Sequence, residues 1–278
     1  MPLGSPCGSR GAAKPPLQES PVHAEKTFAA NAVAAADSVD VLFEASGVLA
    51  VLKPAGLATQ AVAGIDSMEA RVRRLLQVRC GEDYLGIPHR LDRCVSGVML
   101  FATTRRAARQ LARQFERRQI EKRYLAMVQL PVVGPLPKAG DVWVDLLAKV
   151  PDEARGVVTT ASDPHGKEAR TRVASVSRQD AAVVLELAPE TGRMHQLRLQ
   201  ASARGMPMVG DRLYGSTQPL QGGVVTTDER QEEIALAAIS IGYTDPGIPG
   251  DRQSQVRREV IAWPWWAKPR GEPGEASG

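Results

Sequence analysis

Short apolar runs alternate with polar stretches along the first half of the chain. Residues 41–43 and 48–52 are β-forming runs on either side of Ala-Ser-Gly, a pattern that predicts a hairpin. Lys53-Pro54-Ala55-Gly56 follows directly and ends the second strand, because Pro and Gly favour turns. A longer apolar run over 95–102 indicates a buried strand. The ordered part of the chain is therefore expected to open with strands.

Two stretches have the spacing of helices instead. Apolar residues share one face from Met68 onwards, and Asp66 followed by Glu69 is a capping pattern, so we predict a helix near 67–79. A second helix follows Thr104, which can cap it. Its apolar face consists of Ala108, Leu111, Ala112 and Phe115. Its opposite face is basic and consists of Arg106, Arg109, Arg113 and Arg117.

The second half of the chain favours strands. Strand-like patterns occur at 121–130, 168–178 and 181–188, and a short helix is predicted at 194–205, closed by Gly205. Turn-forming residues predict loops at 131–141, 151–167 and 215–231. Because strands outnumber helices and the two do not alternate regularly, we predict an α+β fold with a largely antiparallel sheet rather than a doubly wound parallel one.

The domain organisation follows from length and composition. A chain of 278 residues with 43% hydrophobic residues can bury a large core. Residues 1–38 are rich in Ala, Pro, Gly and Ser without periodicity, so we expect a poorly ordered tail. One domain is expected at 39–268, followed by a disordered tail at 269–278. The three tryptophans at 263–266 are expected to pack a tail onto the core rather than to stack bases.

Charge and cysteine content narrow the possible classes of protein. The net charge of +4 mildly favours a polyanionic partner. Cys7, Cys80 and Cys94 are far apart and form no metal-binding spacing, so we expect neither disulfides nor structural zinc. No apolar run reaches the roughly 20 residues of a membrane span, and no secretory signal is evident. We therefore expect a cytoplasmic protein with no membrane association.

Two polar stretches carry the candidate chemistry. The first, 89–93, places Asp92 among basic residues immediately before the buried strand, where a rigid scaffold would present it. A surface ion pair of Asp92 with Arg90 or Arg93 is an equally good interpretation of this stretch alone. The second stretch, 190–200, begins a helix and carries the polar residues Arg193, His195, Gln196 and Arg198. Taken alone, it is typical of an ordinary basic helix face.

Six motifs together resemble the RluA-type pseudouridine synthase family. They occur in the family's order and cover roughly 40–246, so chance agreement is far less probable than for one short pattern. The motifs as they stand in this chain are KPAGL, HRLDRCVSGVMLFA, EKRYLAMV, TGRMHQLR, GMPMVGDRLYG and LAAISIGYTDP. The chain departs from the family's usual residues at Val95, Met194, Ala237 and Asp245, none of which the chemistry requires.

The resemblance implies the pseudouridine synthase fold, with an active-site cleft across the sheet, and an activity on RNA. Such an enzyme breaks the N1–C1′ bond of a uridine, turns the uracil and rejoins it through C5. This isomerisation needs neither a redox agent nor a group donor. That agrees with a sequence that contains no dinucleotide fingerprint, P-loop or metal-binding cluster. We therefore expect no cofactor, no nucleotide and no metal, and ribosomal or transfer RNA as the partner of a monomer.

The resemblance also assigns roles to individual residues. Asp92 is the catalytic carboxylate, which attacks the sugar or base or takes a proton. Arg198 pairs with Asp92 and keeps it ionised. Tyr124 stacks on the flipped uracil and can relay a proton. Arg90 fills the gap that the flipped base leaves in the RNA, and Leu236 packs beside the pocket.

Five further residues are candidates for RNA binding: Lys53, Arg106, Arg113, Arg193 and His195. Lys53 is also explained as a turn device, because it precedes a proline. The basic face with Arg106 and Arg113 is either a track for RNA phosphates or a solvated helix surface. His89 and His195 are interpreted as orienting or packing residues rather than metal ligands, since no third ligand lies at useful spacing.

Two other functions remain as alternatives. A catalytically silent RNA-binding protein could keep this fold, but binding alone would not require a carboxylate that faces a polyanion. A glycosidase would need two acting carboxylates, and only Asp92 lies in a recognisable motif. The sequence does not indicate which uridine is modified.

Overall fold

The structure is a computed structural model that describes residues 27–28, 38–61, 64–81, 84–131, 134–179, 182–223, 232–247 and 256–267. The tail predicted at 1–38 therefore lies outside the described residues except for 27–28 and 38, and the tail at 269–278 lies outside them entirely. None of the described helices is both long and apolar enough to cross a membrane.

Strands dominate the described residues, and there are twelve of them. They are β1 (Thr27–Phe28), β2 (Asp40–Ala45), β3 (Val48–Lys53), β4 (Ser96–Ala102), β5 (Glu121–Gln129), β6 (Val142–Lys149), β7 (Gly156–Thr159), β8 (Lys167–Gln179), β9 (Ala182–Pro189), β10 (Leu236–Thr244), β11 (Arg257–Ile261) and β12 (Trp263–Pro264). The α-helices are α1 (Met68–Cys80), α2 (Arg105–Glu116) and α3 (Gln196–Ser202), and one 3₁₀ turn covers Arg212–Tyr214.

Ten of these strands form one mixed sheet in the order β2-β3-β4-β10-β5-β9-β8-β6-β7, with β11 also paired to β10. Neighbours in this sheet are antiparallel, with one exception, because β4 and β10 run parallel. The small second sheet pairs β1 with β12. The predicted α+β fold with a largely antiparallel sheet is confirmed.

The sheet has a hydrophobic core on each face. Alternate residues of β3 separate accordingly: Leu49 and Val51 join one cluster, while Val48 and Ala50 join the other. Helices α1 and α3 cover the first face, and α2 with the C-terminal segment covers the second. Both faces of β3 and β4 are therefore covered, which explains why these strands are buried along their whole length.

The helix termini show which capping residues act. The side chain of Ser67, rather than Asp66, caps α1 by accepting a hydrogen bond from the backbone N–H of Ala70. Asp66 instead accepts hydrogen bonds from the guanidinium of Arg71. Thr104 caps α2 as predicted, by accepting from the N–H of Ala107.

The face of α2 that packs on the sheet differs from the predicted one. Ala112 is exposed, whereas Gln114 is buried. The amide of Gln114 donates to the carbonyl of Thr244 and accepts from its N–H, so it completes the backbone pairing of β10. A polar side chain with both groups satisfied can take a core position, and a hydrophobicity pattern does not reveal this.

Other elements also differ from the predicted boundaries. The loop predicted at 151–167 contains strand β7, which pairs with β6 at one end of the sheet. Helix α3 ends at Ser202, three residues before Gly205, because the chain turns while the N–H of Gly205 bonds to the carbonyl of Ser202. The tryptophans at 263–266 pack against the core as predicted, and the indole N–H of Trp265 donates to Glu233.

Candidate active site

The loop before β4 presents Asp92 and is fixed to the turn after β3. The N–H of Gly56 donates to the carbonyl of Arg93 at 2.8 Å, and Nε of Arg93 donates back to the carbonyl of Gly56 at 2.9 Å. The hydroxyl of Thr59 bonds both backbone groups of Leu91. Because these backbone contacts hold the chain on both sides of Asp92, the backbone from which its side chain projects is fixed.

Lys53 lies beneath this loop with no exposed surface. Its ammonium donates to the backbone carbonyls of Pro54, Leu57 and Arg93 at 2.8, 2.6 and 3.2 Å. Burial lowers the pKa of Lys53 to about 7, although the three carbonyls stabilise the charged form. The structure thus leaves Lys53 no surface for a phosphate, contrary to the expected RNA contact, and gives it the alternative role of holding the turn.

Arg198 links Asp92 to a second carboxylate. Its Nη1 lies 3.5 Å from Oδ2 of Asp92, while Nε and Nη2 donate to the two oxygens of Asp211 at 2.7 Å each. Burial alone would lower the pKa of Arg198, but the bonds to Asp211 raise it above its ordinary value. The predicted partnership of Arg198 with Asp92 is thus present as a longer contact, and Asp211 is the closer partner.

His195 stands beside Asp92 and contacts Tyr214. Its Nε2 lies 3.7 Å from Oδ2 of Asp92, and its Nδ1 lies 2.7 Å from the hydroxyl of Tyr214. The same hydroxyl accepts a hydrogen bond from the N–H of Gly156. Burial lowers the pKa of His195 more than the charge of Asp92 raises it, so the imidazole is neutral at pH 7. His195 therefore orients a neighbour through hydrogen bonding rather than charge.

The backbone and a buried amide position α3. His195 precedes the helix in the left-handed region, with φ of 51°. Oε1 of Gln196 accepts from the hydroxyl of Thr191 and from the N–H of Arg193, and its Nε2 donates to the carbonyl of Arg170. With its amide satisfied on both sides, Gln196 fixes the start of the helix that carries Arg198.

A cleft of about 320 Å³ opens in front of Asp92. Seven of the residues predicted from the sequence line it: Arg90, Asp92, Tyr124, Arg193, His195, Arg198 and Leu236. Burial, and then the nearby charge of Asp92, raise the pKa of the Tyr124 hydroxyl, which therefore stays protonated at neutral pH. Among the described residues that line it, the cleft combines one carboxylate, one phenol and an apolar wall.

A second cavity of about 350 Å³ adjoins the first. Arg90, Asp92 and Arg198 line both cavities, and the second extends between Thr59 and Leu213. Asp92 therefore stands at the boundary between two concave surfaces, which together exceed the space that one base requires.

Besides Lys53, two predicted RNA-binding residues, Arg106 and Arg113, lie outside both cavities. Nη2 of Arg106 donates to the carbonyl of Pro246, and Arg113 is exposed on α2. His89, by contrast, lines the cleft as a packing residue: its Nε2 accepts from the N–H of Leu100 and its ring stacks on Phe115. Burial lowers the pKa of His89 to about 3, so it is neutral. Of the two roles expected for His89, orienting or packing, the stacked and hydrogen-bonded ring fits packing.

Asp211 and Tyr214 are the site residues that sequence reasoning missed. Both belong to the segment GDRLYG, which contributed to the resemblance without receiving a role. The 3₁₀ turn at Arg212–Tyr214 lies next to Arg198, which bonds to Asp211 and whose Cζ lies 4.8 Å from the centre of the Tyr214 ring. An aspartate and a tyrosine three residues apart were the available signal.

The model of the family described as RNA pseudouridylate synthase matches residues 47–203, more than half of the chain. The matched region contains the loop with Asp92 and the helix with Arg198. Tyr124 on β5 also lies within it, while the segment with Asp211 and Tyr214 lies beyond its end.

Curated relatives agree with this match. The chain is 33% identical over 219 residues to the dual-specificity RNA pseudouridine synthase RluA of Vibrio vulnificus, which covers 74% of this chain and 78% of that protein. It is 35% identical over 191 residues to the ribosomal large subunit pseudouridine synthase D of Xylella fastidiosa, which covers 66% of this chain and 54% of that protein. The chain thus spans about half the length of this second relative.

Solved structures share the fold. Human RNA pseudouridylate synthase domain containing 1 superposes with a TM-score of 0.60 at 22% identity, covering 82% of this chain and 84% of that one. Together, the family model and the relatives show that the chain belongs to the RluA-type RNA pseudouridylate synthase family.

Proposed function

We propose that this protein is an RNA pseudouridine synthase that acts through Asp92. The observation that carries the proposal is the arrangement of Asp92, which faces a cleft beside Tyr124 while Arg198 lies behind it. The side chain of Asp92 is 28% exposed, so a substrate can reach it. A carboxylate directed at an open cleft can act as a nucleophile or a base.

The reaction changes the bonds of one nucleotide without adding or removing atoms overall. The N1–C1′ bond breaks, a C5–C1′ bond forms, the proton on C5 leaves, and N1 gains a proton. Asp92 supports this exchange either by attacking the sugar or base or by taking a proton. The uridine must leave its helical stack to reach Asp92, as in other enzymes that act on a base.

The cleft residues provide for the extruded base. Tyr124 offers an aromatic face for stacking, and Leu236 forms an apolar wall. Arg90 is exposed and makes no ion pair with a described residue, so it is available to occupy the gap in the RNA. Arg193 and His195 complete the rim. Lys53 does not belong to this set, because it is buried and its ammonium already donates to three backbone carbonyls.

The substrate is ribosomal or transfer RNA, and the enzyme acts in the cytoplasm as a monomer without metal, nucleotide or other cofactor. The names of the relatives support a ribosomal substrate, because they include ribosomal large subunit synthases. Arg106 and Arg113 lie away from the cleft and would contribute, at most, screened contacts with phosphates at the periphery.

The test is tritium release from RNA labelled at uracil C5, with a chelator present, on RNA from cells that lack the gene. Position-resolved mapping of pseudouridine in cells with and without the gene then identifies the site. We expect release with the chelator and the loss of at least one pseudouridine. Tight RNA binding without any release would instead favour a silent RNA-binding protein.

A further inference from the structure

Strand β5 brings a second polar side chain to the cleft. Lys122 lies two residues before Tyr124, so both side chains point to the same face of the strand, and both line the cleft. Two residues along a strand correspond to about 7 Å. This separation is close to the reach from a stacked base to its own phosphate. Lys122 therefore occupies a defined position relative to the proposed base site.

Lys122 has no counter-ion within the described part of the chain. None of the hydrogen bonds and ion pairs among the described residues involves its ammonium, and burial is the one cause of its pKa shift. The neighbouring cleft residues His89, Phe115 and Leu236 are neutral or apolar. Asp92 is the carboxylate among the described lining residues, and it faces Arg198 and His195 instead.

The electrostatic situation of Lys122 is unfavourable without a ligand. Burial lowers the pKa of Lys122, because the charged form loses hydration without gaining an opposite charge. His89 lines the same cleft, and the charge of Lys122 helps to lower the pKa of His89, so His89 supplies no negative charge to Lys122. A partly buried cation of this kind gains most from an anion that enters the cleft.

We propose that Lys122 is a substrate-contacting residue whose ammonium binds a backbone phosphate of the nucleotide that enters the cleft. The inference rests on the proposed action on RNA. A phosphate fits better than the uracil ring, since an ammonium is a compact point charge without the directional fork that planar groups favour. Lys122 and Tyr124 together then recognise a phosphate and a base at fixed separation.

The first experiment measures binding of a ten-nucleotide oligouridylate as a function of salt. The variant is Lys122→Met, and Lys149→Met is the matched control because Lys149 is exposed on β6 outside the cleft. Each phosphate contact on a single strand contributes ~0.7 to the logarithmic salt slope. Raising salt from 50 to 200 mM should therefore weaken binding by Lys122→Met about 2.5-fold less than binding by wild type. Lys149→Met should keep the wild-type slope.

Two further measurements exclude a merely structural role. Lys122→Arg should restore the wild-type salt slope, whereas Lys122→Gln should behave like Lys122→Met. Replacing single phosphates of the oligonucleotide with methylphosphonate should weaken binding by wild type at one position and leave binding by Lys122→Met unchanged there. The thermal midpoint of each variant shows whether it is folded. If Lys122→Met does not fold, the salt slope is measured on Lys122→Gln instead.

The outcome is separable from that of the proposed function, because binding requires no turnover. An unchanged salt slope in folded Lys122→Met and Lys122→Gln overturns the inference even if wild type releases tritium. A reduced slope in a protein that releases none supports the phosphate contact and refutes the synthase. A normal slope with a shifted pH profile of release would mean that Lys122 transfers protons instead of binding phosphate.

Discussion

Arg198 donates two hydrogen bonds of 2.7 Å to Asp211, and both residues are buried. This pair balances the guanidinium charge without using Asp92, which lies 3.5 Å away. Asp92 can therefore change its charge or bonding during the reaction while Arg198 keeps a counter-ion. If Arg198 held Asp92 by two short hydrogen bonds, as it holds Asp211, Asp92 would be less free to react.

The first prediction concerns the carboxylate itself. Asp92→Asn keeps the size of the side chain but removes the charge, so tritium release should fall at least ~100-fold. Affinity for RNA should stay equal or increase slightly, because a negative charge is removed from a surface that meets phosphates. Release, affinity and thermal midpoint should be measured on one preparation. Release near the wild-type rate would show that Asp92 is not the catalytic group.

The second prediction separates Asp211 from Asp92. Asp211→Asn leaves Arg198 buried without a full counter-ion, so the free energy of unfolding should fall by about 3 kcal/mol. Glu44→Gln is the control, because Glu44 pairs with Arg79 and the two side chains are 41% and 50% exposed, so its loss should cost under ~1 kcal/mol. Urea denaturation measures both. Equal losses would mean that the Arg198–Asp211 pair contributes no more than a surface pair.

The third prediction follows from the pKa of His89, which burial lowers to about 3 from the model-compound value of 6.5. Between these values the unfolded chain binds a proton that the folded chain does not, so stability decreases as pH falls. The contribution of His89 reaches about 1.4 kcal/mol per pH unit. His89→Gln should remove it. Unfolding curves from pH 7 to pH 4 should be less steep in pH for the variant, and parallel curves would contradict the assignment.

The fourth prediction concerns the contact between β4 and β10. A Cβ at Gly97 would lie closer than 3.0 Å to backbone atoms of Ala238, and Gly97 has φ of +130°. Gly97→Ala should therefore cost about 3 kcal/mol of stability by separating the two strands. Gly140→Ala is the control, because φ is +94° there but no atom lies within 4 Å, so only backbone strain of about 1–2 kcal/mol remains. Similar losses in both variants would rule out the strand contact as the cause.

Sequence reasoning identified the residues of the cleft better than their partners. Asp92, Tyr124 and Leu236 lie in separate motifs, and the order of the motifs sufficed to place them in one site. Asp211 was missed as the partner of Arg198, because a contact across 13 residues depends on how the intervening turn folds. For Lys53 the sequence leaves a phosphate contact and a turn device both open, since a pattern of residue types does not report that three carbonyls surround the ammonium.

The same limit explains the errors in the fold. The sequence predicts a loop where β7 forms, because its four residues are held by pairing with β6 rather than by their own pattern. The predicted apolar face of α2 does not include Gln114, because the sequence shows its polarity but not its two bonds to the backbone of Thr244. Local patterns predict elements well, whereas contacts between distant residues need the folded chain.

Strand β10 lies between β4, which follows Asp92, and β5, which carries Tyr124. Hydrogen bonds between backbones therefore set the width of the cleft, at about two interstrand spacings or 10 Å. Lining side chains such as Leu236 can then be exchanged without altering that width. The separation between Asp92 and Tyr124 is therefore a property of the sheet, whereas the shape of the pocket is a property of its side chains. Substitutions can change one without changing the other.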